Sequence, residues 1–375
     1  MTTHDEEIRK AEQKQAAEER KKKSSSTTSN NSNRKATNRS RRAVPFAGRI
    51  DVAAPTKTPT KADPKEADSM RFDDVREALQ KGSTAAAGPH HKEERMPAKI
   101  EELLRLQGGV NSRGVIPVIA QLLEKSTVSD YSYLCHPETQ HISKLKGEGS
   151  FCGYRNIQML VTYMIGAAAE NHELFNKTVP SIFDIQDAIE AGWDDGINAK
   201  CRDEIGPIKG TRKYIGTIEA DTYFEFLGIR HASKHISGHD SKIKSRKAEE
   251  EEEEARSMLY DEVELYFSSS LNLTAEDRMA KVRRTTRAPI YLQYDGHSLT
   301  IIGLERKLNG RRKLLVFNPA KDDPQSVKNR LGQQGVEGVP VEETLNKHYR
   351  RGSRQLQKLA RFDLLMLLNK PTPPR

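Results

Sequence analysis

Four residues, widely spaced along the 375-residue chain, carry side chains that together suit the breaking of an amide bond: Cys152, Gln293, His297 and Asn318. Cys152 follows a glycine-bearing loop, GEGSFCG, and precedes Ile157, Leu160, Val161, Met164 and Ile165 at helical spacing. A thiol at a helix start meets unpaired backbone N–H groups and the positive end of the helix dipole, both of which favour the thiolate. An imidazole such as His297 takes the thiol proton and returns it to a leaving amine. An amide such as Asn318 fixes the ring's orientation and tautomer. Gln293, four residues before His297, has an amide to donate to a developing oxyanion. Each part also has an ordinary use. Free cysteines are commonly buried, strand histidines and glutamines are commonly structural, and Asn before Pro forms turns.

These side chains need a helix and a sheet to bring them together. Residues 97–124 have helical patterning, broken by a glycine-containing loop, and VPSIFDIQDAIEAGWD (179–194) repeats it. Ile218, Tyr223, Phe224 and Leu227 indicate another helix, as do Leu259, Val263, Tyr266 and Phe267. The period then changes. APIYLQYDGHSLTIIGLE (288–305) is two β-branched, apolar runs around Asp295-Gly296, a strong hairpin turn. RKLLVFNPA (312–320) adds a strand ended by Asn318-Pro319, and RFDLLMLL (361–368) a last strand or short helix. Helices first, then an antiparallel sheet, predicts an α+β fold with the cysteine helix packed on the sheet. A cysteine at a helix start, followed later by a histidine and an asparagine at sheet ends, is the order of parts in papain-like thiol proteases.

Composition sets the limits. Residues 21–50 hold nine Lys and Arg and no Asp or Glu, which equals the net charge of the whole chain, +9. The remainder is therefore balanced, and nucleic acid is an expected partner only through this basic tail. Residues 1–97 read as a disordered basic tail with short helix candidates, FDDVREALQK (72–81) among them, and RKATNRSRR (34–42) as a nuclear import signal or phosphate-contacting arm. The folded domain is expected over 98–370, with a charged mobile insertion at 233–256. Three cysteines without a CxxC pair predict a reducing compartment, cytoplasmic or nuclear. No apolar run is long enough for a membrane span. HASKHISGH (231–239) spaces three histidines by four, a metal-binding pattern only on a helix, and its glycine argues against one. No metal and no cofactor is predicted.

FCGYRNIQML, KGTRKYIGTIEA, PIYLQYDGHSLTIIGLE and LLVFNPA, in that order, resemble the ubiquitin-fold-modifier-specific protease family. They are most like its branch of zinc-finger-containing ubiquitin peptidases and related fungal enzymes, over roughly residues 110–368. The resemblance implies a papain-like cysteine protease fold, with Cys152 as nucleophile, His297 as general base and acid, and Gln293 as oxyanion donor. It places Glu219 at an acidic position and Tyr214 at an aromatic one for a modifier's tail, with Gly149 and Gly153 suiting a narrow Gly-Gly channel. This branch has Asp-Pro where the chain has Asn318-Pro319, so Asp322 or Asp323 are candidate substitutes for the third member. The modifier-specific branch has Asp-Pro-His, and Ala320 here favours ubiquitin or ubiquitin chains as partner. Residues 1–109 have no zinc-finger spacing of Cys and His. The implied activity is a thiol isopeptidase cleaving after the Gly-Gly of ubiquitin. Asn318 leaves two alternatives open: a protease for another ubiquitin-like modifier, or a weak or inactive ubiquitin-binding relative.

Overall fold

The structure is a computed structural model that describes residues 90–238 and 248–368. The basic run 21–50 and the helix candidate at 72–81 lie outside the described residues. Helix α1 (Ala98–Gln107) leads to β1 (Val110–Ser112), α2 (Val115–Lys125), β2 (Ser129–Leu134) and β3 (His141–Ser143). The cysteine helix α3 (Cys152–Gly166) follows, then α4 (Ile182–Asp194), α5 (Thr217–Phe226), β4 (His231–Ser237) and α6 (Ala248–Ser268). The last third is mostly strand: β5 (Val282–Arg284), β6 (Ile290–Tyr294), β7 (His297–Lys307), β8 (Arg312–Phe317), β9 (Arg350–Arg351) and β10 (Arg361–Leu367). The expected α+β architecture is the one observed.

The main sheet runs β4-β10-β6-β7-β2-β5, with β8 on the other edge of β7 and β9 beside β8. All its pairs are antiparallel except β2 with β5. Alternation along the strands splits the core in two. Leu292, Leu299, Ile301, Leu364 and Met366 face α2 and α6 in one layer. Tyr291, Leu365 and Leu367 face α3, α4 and α5 in the other. The cysteine helix lies between sheet and helices, and every residue from Cys152 to Met164 is buried. It is therefore enclosed on all sides, not on the single face its spacing predicted, and its buried polar residues Arg155, Asn156 and Gln158 are each hydrogen-bonded. Gly303 of β7 marks a close backbone approach: a Cβ there would collide with the Tyr133 carbonyl oxygen.

Three expectations are corrected. Helices do not all precede the sheet, because β2 and β4 join it early. Their sequences, SDYSYL and HASKHIS, lack a run of apolar residues, and neighbouring strands supply the pairing that pattern did not signal. The expected charged mobile insertion at 233–256 is folded at both of its ends. Residues 233–237 pair with β10. The acidic run Glu249–Glu254 opens α6, where negative charge favours a helix start, and Ala255, Leu259 and Val263 pack into the core. Only 239–247 of that stretch is outside the described residues. His231 and His235 lie on a strand and pair with Asp221 (3.0 Å) and Asp363 (2.7 Å), so their spacing of four does not gather them. Packing also begins before residue 98. Met96 is buried, and Glu93 accepts from the Arg212 backbone N–H at 2.6 Å and its Nε at 2.9 Å. Among the described residues no helix is long and apolar enough to cross a membrane.

Candidate active site

The loop before Cys152 is held by a buried ion pair. Glu148 accepts Arg155 Nη2 at 2.6 Å and Nε at 3.0 Å, and the Leu145 N–H at 2.8 Å. Arg155 also donates to Gln158, whose amide reaches the Pro180 carbonyl. Both charged side chains are essentially inaccessible to solvent. Lys144 connects this loop to the end of β8: its N–H donates to the Pro319 carbonyl at 2.8 Å, and its Nζ to the Gly149 carbonyl at 2.9 Å.

The Asp295-Gly296 turn forms as predicted, with Gly296 at φ +71°. Tyr294 and His297 face each other across it, then Gln293 and Ser298. At the end of β8, Asn318 starts a turn in which the Lys321 N–H donates to the Asn318 carbonyl at 2.9 Å. Pro319 in the second position favours that turn, and the Asn318 Oδ1 reinforces it by accepting the Ala320 N–H at 3.0 Å. His297 Nε2 lies 3.0 Å from the same Oδ1. Two donors on one oxygen fix the amide's orientation and put the imidazole proton on Nε2. Nδ1 is then the nitrogen left to exchange a proton.

Cys152 is 3% exposed. Burial opposes ionisation of its thiol, but the hydrogen bond and charge of His297, helped by Ser298, outweigh it and hold the thiol below its ordinary value. Burial pushes the other two thiols, Cys135 and Cys201, up to about 12. Of the three thiols, Cys152 is thus the one whose ionisation its surroundings favour.

Gln293 Oε1 accepts from the Thr217 N–H (2.5 Å) and Oγ1 (3.0 Å) at the start of α5, which leaves the Nε2 hydrogens as its free donors. Glycine at 216 makes room, since a Cβ there would stand 2.5 Å from that Oε1. Tyr214 has a buried hydroxyl without a hydrogen-bond partner; burial and the neighbouring Cys152 and Tyr291 hold the phenol protonated. Gly149 is half-buried beneath His90 and Arg212. Gly153 faces inward: a Cβ would stand 2.5 Å from the Ile215 carbonyl, so its smallness serves packing. Glu219 is also turned inward. Its carboxylate accepts the Gly216 N–H at 2.6 Å, capping its own helix, and burial raises its affinity for a proton.

One group of residues escaped the sequence reading. His141 stacks on Phe317, its Nε2 3.2 Å from the Asn318 carbonyl and its Nδ1 2.9 Å from Asp323. Tyr349 donates to the same carboxylate oxygen at 2.7 Å. Asp323 therefore serves His141 and does not substitute for Asn318 beside His297. Asp322 is taken by Lys328. No motif carried this group, because its members come from β3, the β8 turn and the segment before β9.

Cysteine at the start of a buried helix, histidine at the mouth of a hairpin and a side-chain oxygen orienting that histidine make up the arrangement of a thiol protease. Residues 128–365 match the family model described as Peptidase family C78, and the chain belongs to that family. Among curated relatives, zinc finger-containing ubiquitin peptidase 1 of Macaca fascicularis is 27% identical over 238 residues, 63% of this chain and 38% of that protein. Ubiquitin carboxyl-terminal hydrolase mug105 of Schizosaccharomyces pombe is 28% identical over 219 residues, 57% of this chain and 73% of that one. The crystal structure of UfSP from C. elegans superposes at a TM-score of 0.40 and 14% identity, covering 71% of this chain and 38% of that one. The chain spans well under half the length of the mammalian relative.

Proposed function

We propose that the chain is a thiol isopeptidase that cleaves after the C-terminal Gly-Gly of ubiquitin, with Cys152 as nucleophile and His297 as base and acid. The observation that carries this reading is the hydrogen bond from His297 Nε2 to Asn318 Oδ1, together with the hold of His297 on the Cys152 thiol, which lies below its ordinary value. His297 Nδ1 takes the thiol proton, and the sulfur attacks the terminal glycine carbonyl carbon. The carbonyl π electrons move onto oxygen, where Gln293 Nε2 donates a hydrogen bond. Collapse of this intermediate expels the lysine amine, which takes its proton from His297 and leaves a thioester on Cys152. Water then attacks the thioester, gives its proton to His297, and releases the carboxylate while the thiol is restored. Asn318 holds the ring through both steps. The tail is proposed to pass Gly149 and Tyr214, where small and aromatic surfaces suit two glycines.

Ubiquitin as substrate is supported by its relatives, which are a ubiquitin peptidase and a ubiquitin carboxyl-terminal hydrolase by name. The test is a panel of ubiquitin and ubiquitin-like probes, each with a C-terminal electrophile, on wild-type chain and Cys152→Ala. Labelling of the wild type by the ubiquitin probe alone is the expected result. Labelling by another modifier instead would move the substrate assignment, and equal labelling of both proteins would remove Cys152 from its role.

A further inference from the structure

Cationic groups collect beside Asn318. Lys321 closes the Asn318 turn, and its Nζ donates to the Lys347 carbonyl at 3.2 Å. His348 follows, with a buried Nδ1 that has no hydrogen-bond partner. Arg351 ends β9, only 8% exposed, and its Nη1 donates to a backbone carbonyl, that of Arg350. The acids nearby are already engaged: Asp322 by Lys328, Asp323 by His141 and Tyr349, Glu342 by Arg350. Among the described residues, no carboxylate forms an ion pair with Lys321, Lys347, His348 or Arg351.

Keeping these charges together is costly. Burial and the charges of Arg351 and Lys347 weaken proton binding by Lys321, and burial with Lys321 and Lys347 does the same to His348, which joins the cluster as a hydrogen-bonding ring and not as a charge. Burial likewise works against the charge on Arg351. A buried guanidinium without a carboxylate is a group waiting for an anion.

The cluster is joined to the reacting groups by Tyr294. That ring packs edge-on to His297 at 5.9 Å, and its phenol feels both Arg351 and Cys152. His297 is the group that must protonate the leaving amine, so a surface continuing from His297 through Tyr294 to Arg351 lies on the leaving-group side.

We propose that Lys321, Lys347, His348 and Arg351 form a subsite for acidic side chains flanking the modified lysine of the substrate protein. This rests on the isopeptidase reading above and adds to it a preference on the side opposite the Gly-Gly tail. A patch of one sign raises the local concentration of its counter-charge. The cluster's cations are few and the ring beside them, Tyr294, is half-buried, which suits two or three carboxylates better than a nucleic acid strand with bases to stack.

The test uses the full chain and ubiquitin joined through a lysine to short peptides whose flanks are acidic, neutral or basic. Acidic flanks are expected to raise kcat/KM at least fivefold over neutral ones. About 1 M salt, where the Debye length is about 3 Å, should remove most of that gain. The double variant Lys321→Glu/Lys347→Glu, at two exposed positions, should reverse the order. A second measurement needs no turnover: the ratio of Cys152 alkylation rates by iodoacetate and iodoacetamide. Charge reversal should lower that ratio at least threefold. If the wild type cleaves nothing, the isopeptidase reading fails, and the alkylation ratio alone decides the anion site. An unchanged ratio, or kinetics indifferent to the flank, would overturn the proposal. So would inhibition by a short oligodeoxynucleotide that exceeds that by polyglutamate and is relieved by charge reversal, which would reassign the cluster to nucleic acid.

Discussion

Asn318 Oδ1 receives the His297 Nε2–H and the Ala320 N–H at the same distance, 3.0 Å, so one oxygen both closes a turn and orients the imidazole. A carboxylate oxygen accepts the same two donors. Asn318→Asp is therefore expected to keep the geometry and to be at least as active as wild type, since a carboxylate also stabilises the imidazolium. Asn318→Ala loses both bonds and should cost roughly tenfold to a hundredfold, part of the about 10²–10⁴-fold owed to general acid–base catalysis. Steady-state kcat/KM on a ubiquitin isopeptide substrate measures both, and a large loss in Asn318→Asp would mean the amide N–H₂ has a role of its own.

The thiol has a pH signature. With His297 present, alkylation of Cys152 by iodoacetamide should titrate below the ordinary thiol value of 9.0. In His297→Ala only Ser298 is left to oppose burial, so the midpoint should move upward. Cys135 and Cys201, pushed up to about 12, should not compete near neutral pH. Mass mapping of the alkylated site against pH checks this, and an unmoved midpoint in His297→Ala would separate the two residues.

His141 is expected to act through Asn318. Its ring meets the Asn318 carbonyl on one nitrogen and Asp323 on the other. His141→Gln should lower kcat about tenfold with little change in KM, a fraction of the general acid–base contribution. The same change in an Asn318→Ala background should cost almost nothing further. Additive losses would instead make His141 a packing residue only.

Asp323 ties stability to pH. Burial opposes its charge, but His141 and Tyr349 outweigh it, so its folded pKa lies below the unfolded value. The folded state then binds fewer protons, and the contribution is complete above the unfolded pKa and is lost as pH falls through the folded one. Urea midpoints should therefore converge between wild type and Asp323→Asn as pH drops from 7 to 3. A constant gap would show that the carboxylate's charge does not contribute.

The loop carrying Cys152 depends on Glu148. Glu148→Leu leaves Arg155 charged and buried and should cost about 3–5 kcal/mol. Urea unfolding measures it, and a loss near zero would mean that water or another group reaches Arg155.

Much of this site was legible because its chemistry lies in local motifs. A glycine loop before an apolar run placed Cys152, the Asp295-Gly296 turn placed Gln293 and His297 four residues apart, and Asn-Pro ended β8. The alternation of strands and the helix at 217–226 were likewise readable, being set by neighbours in sequence. Partners set by tertiary contact were not. Glu219 has the right type and position for a substrate contact, yet it caps its own helix. His141 and Asp323 stand 182 residues apart and meet only when β3 reaches the β8 turn. Strand β4 owes its place to backbone pairing with β10, which a polar sequence does not announce.

The central claim is that Cys152, activated by His297, attacks a carbonyl at the end of a ubiquitin tail. Intact-mass measurement after incubation with a ubiquitin probe bearing a C-terminal electrophile tests it most directly. The account predicts one covalent adduct on the wild-type chain, none on Cys152→Ala, and a much slower one on His297→Ala. An adduct that persists undiminished on Cys152→Ala, or a wild-type chain that stays unlabelled at high probe concentration, would contradict it.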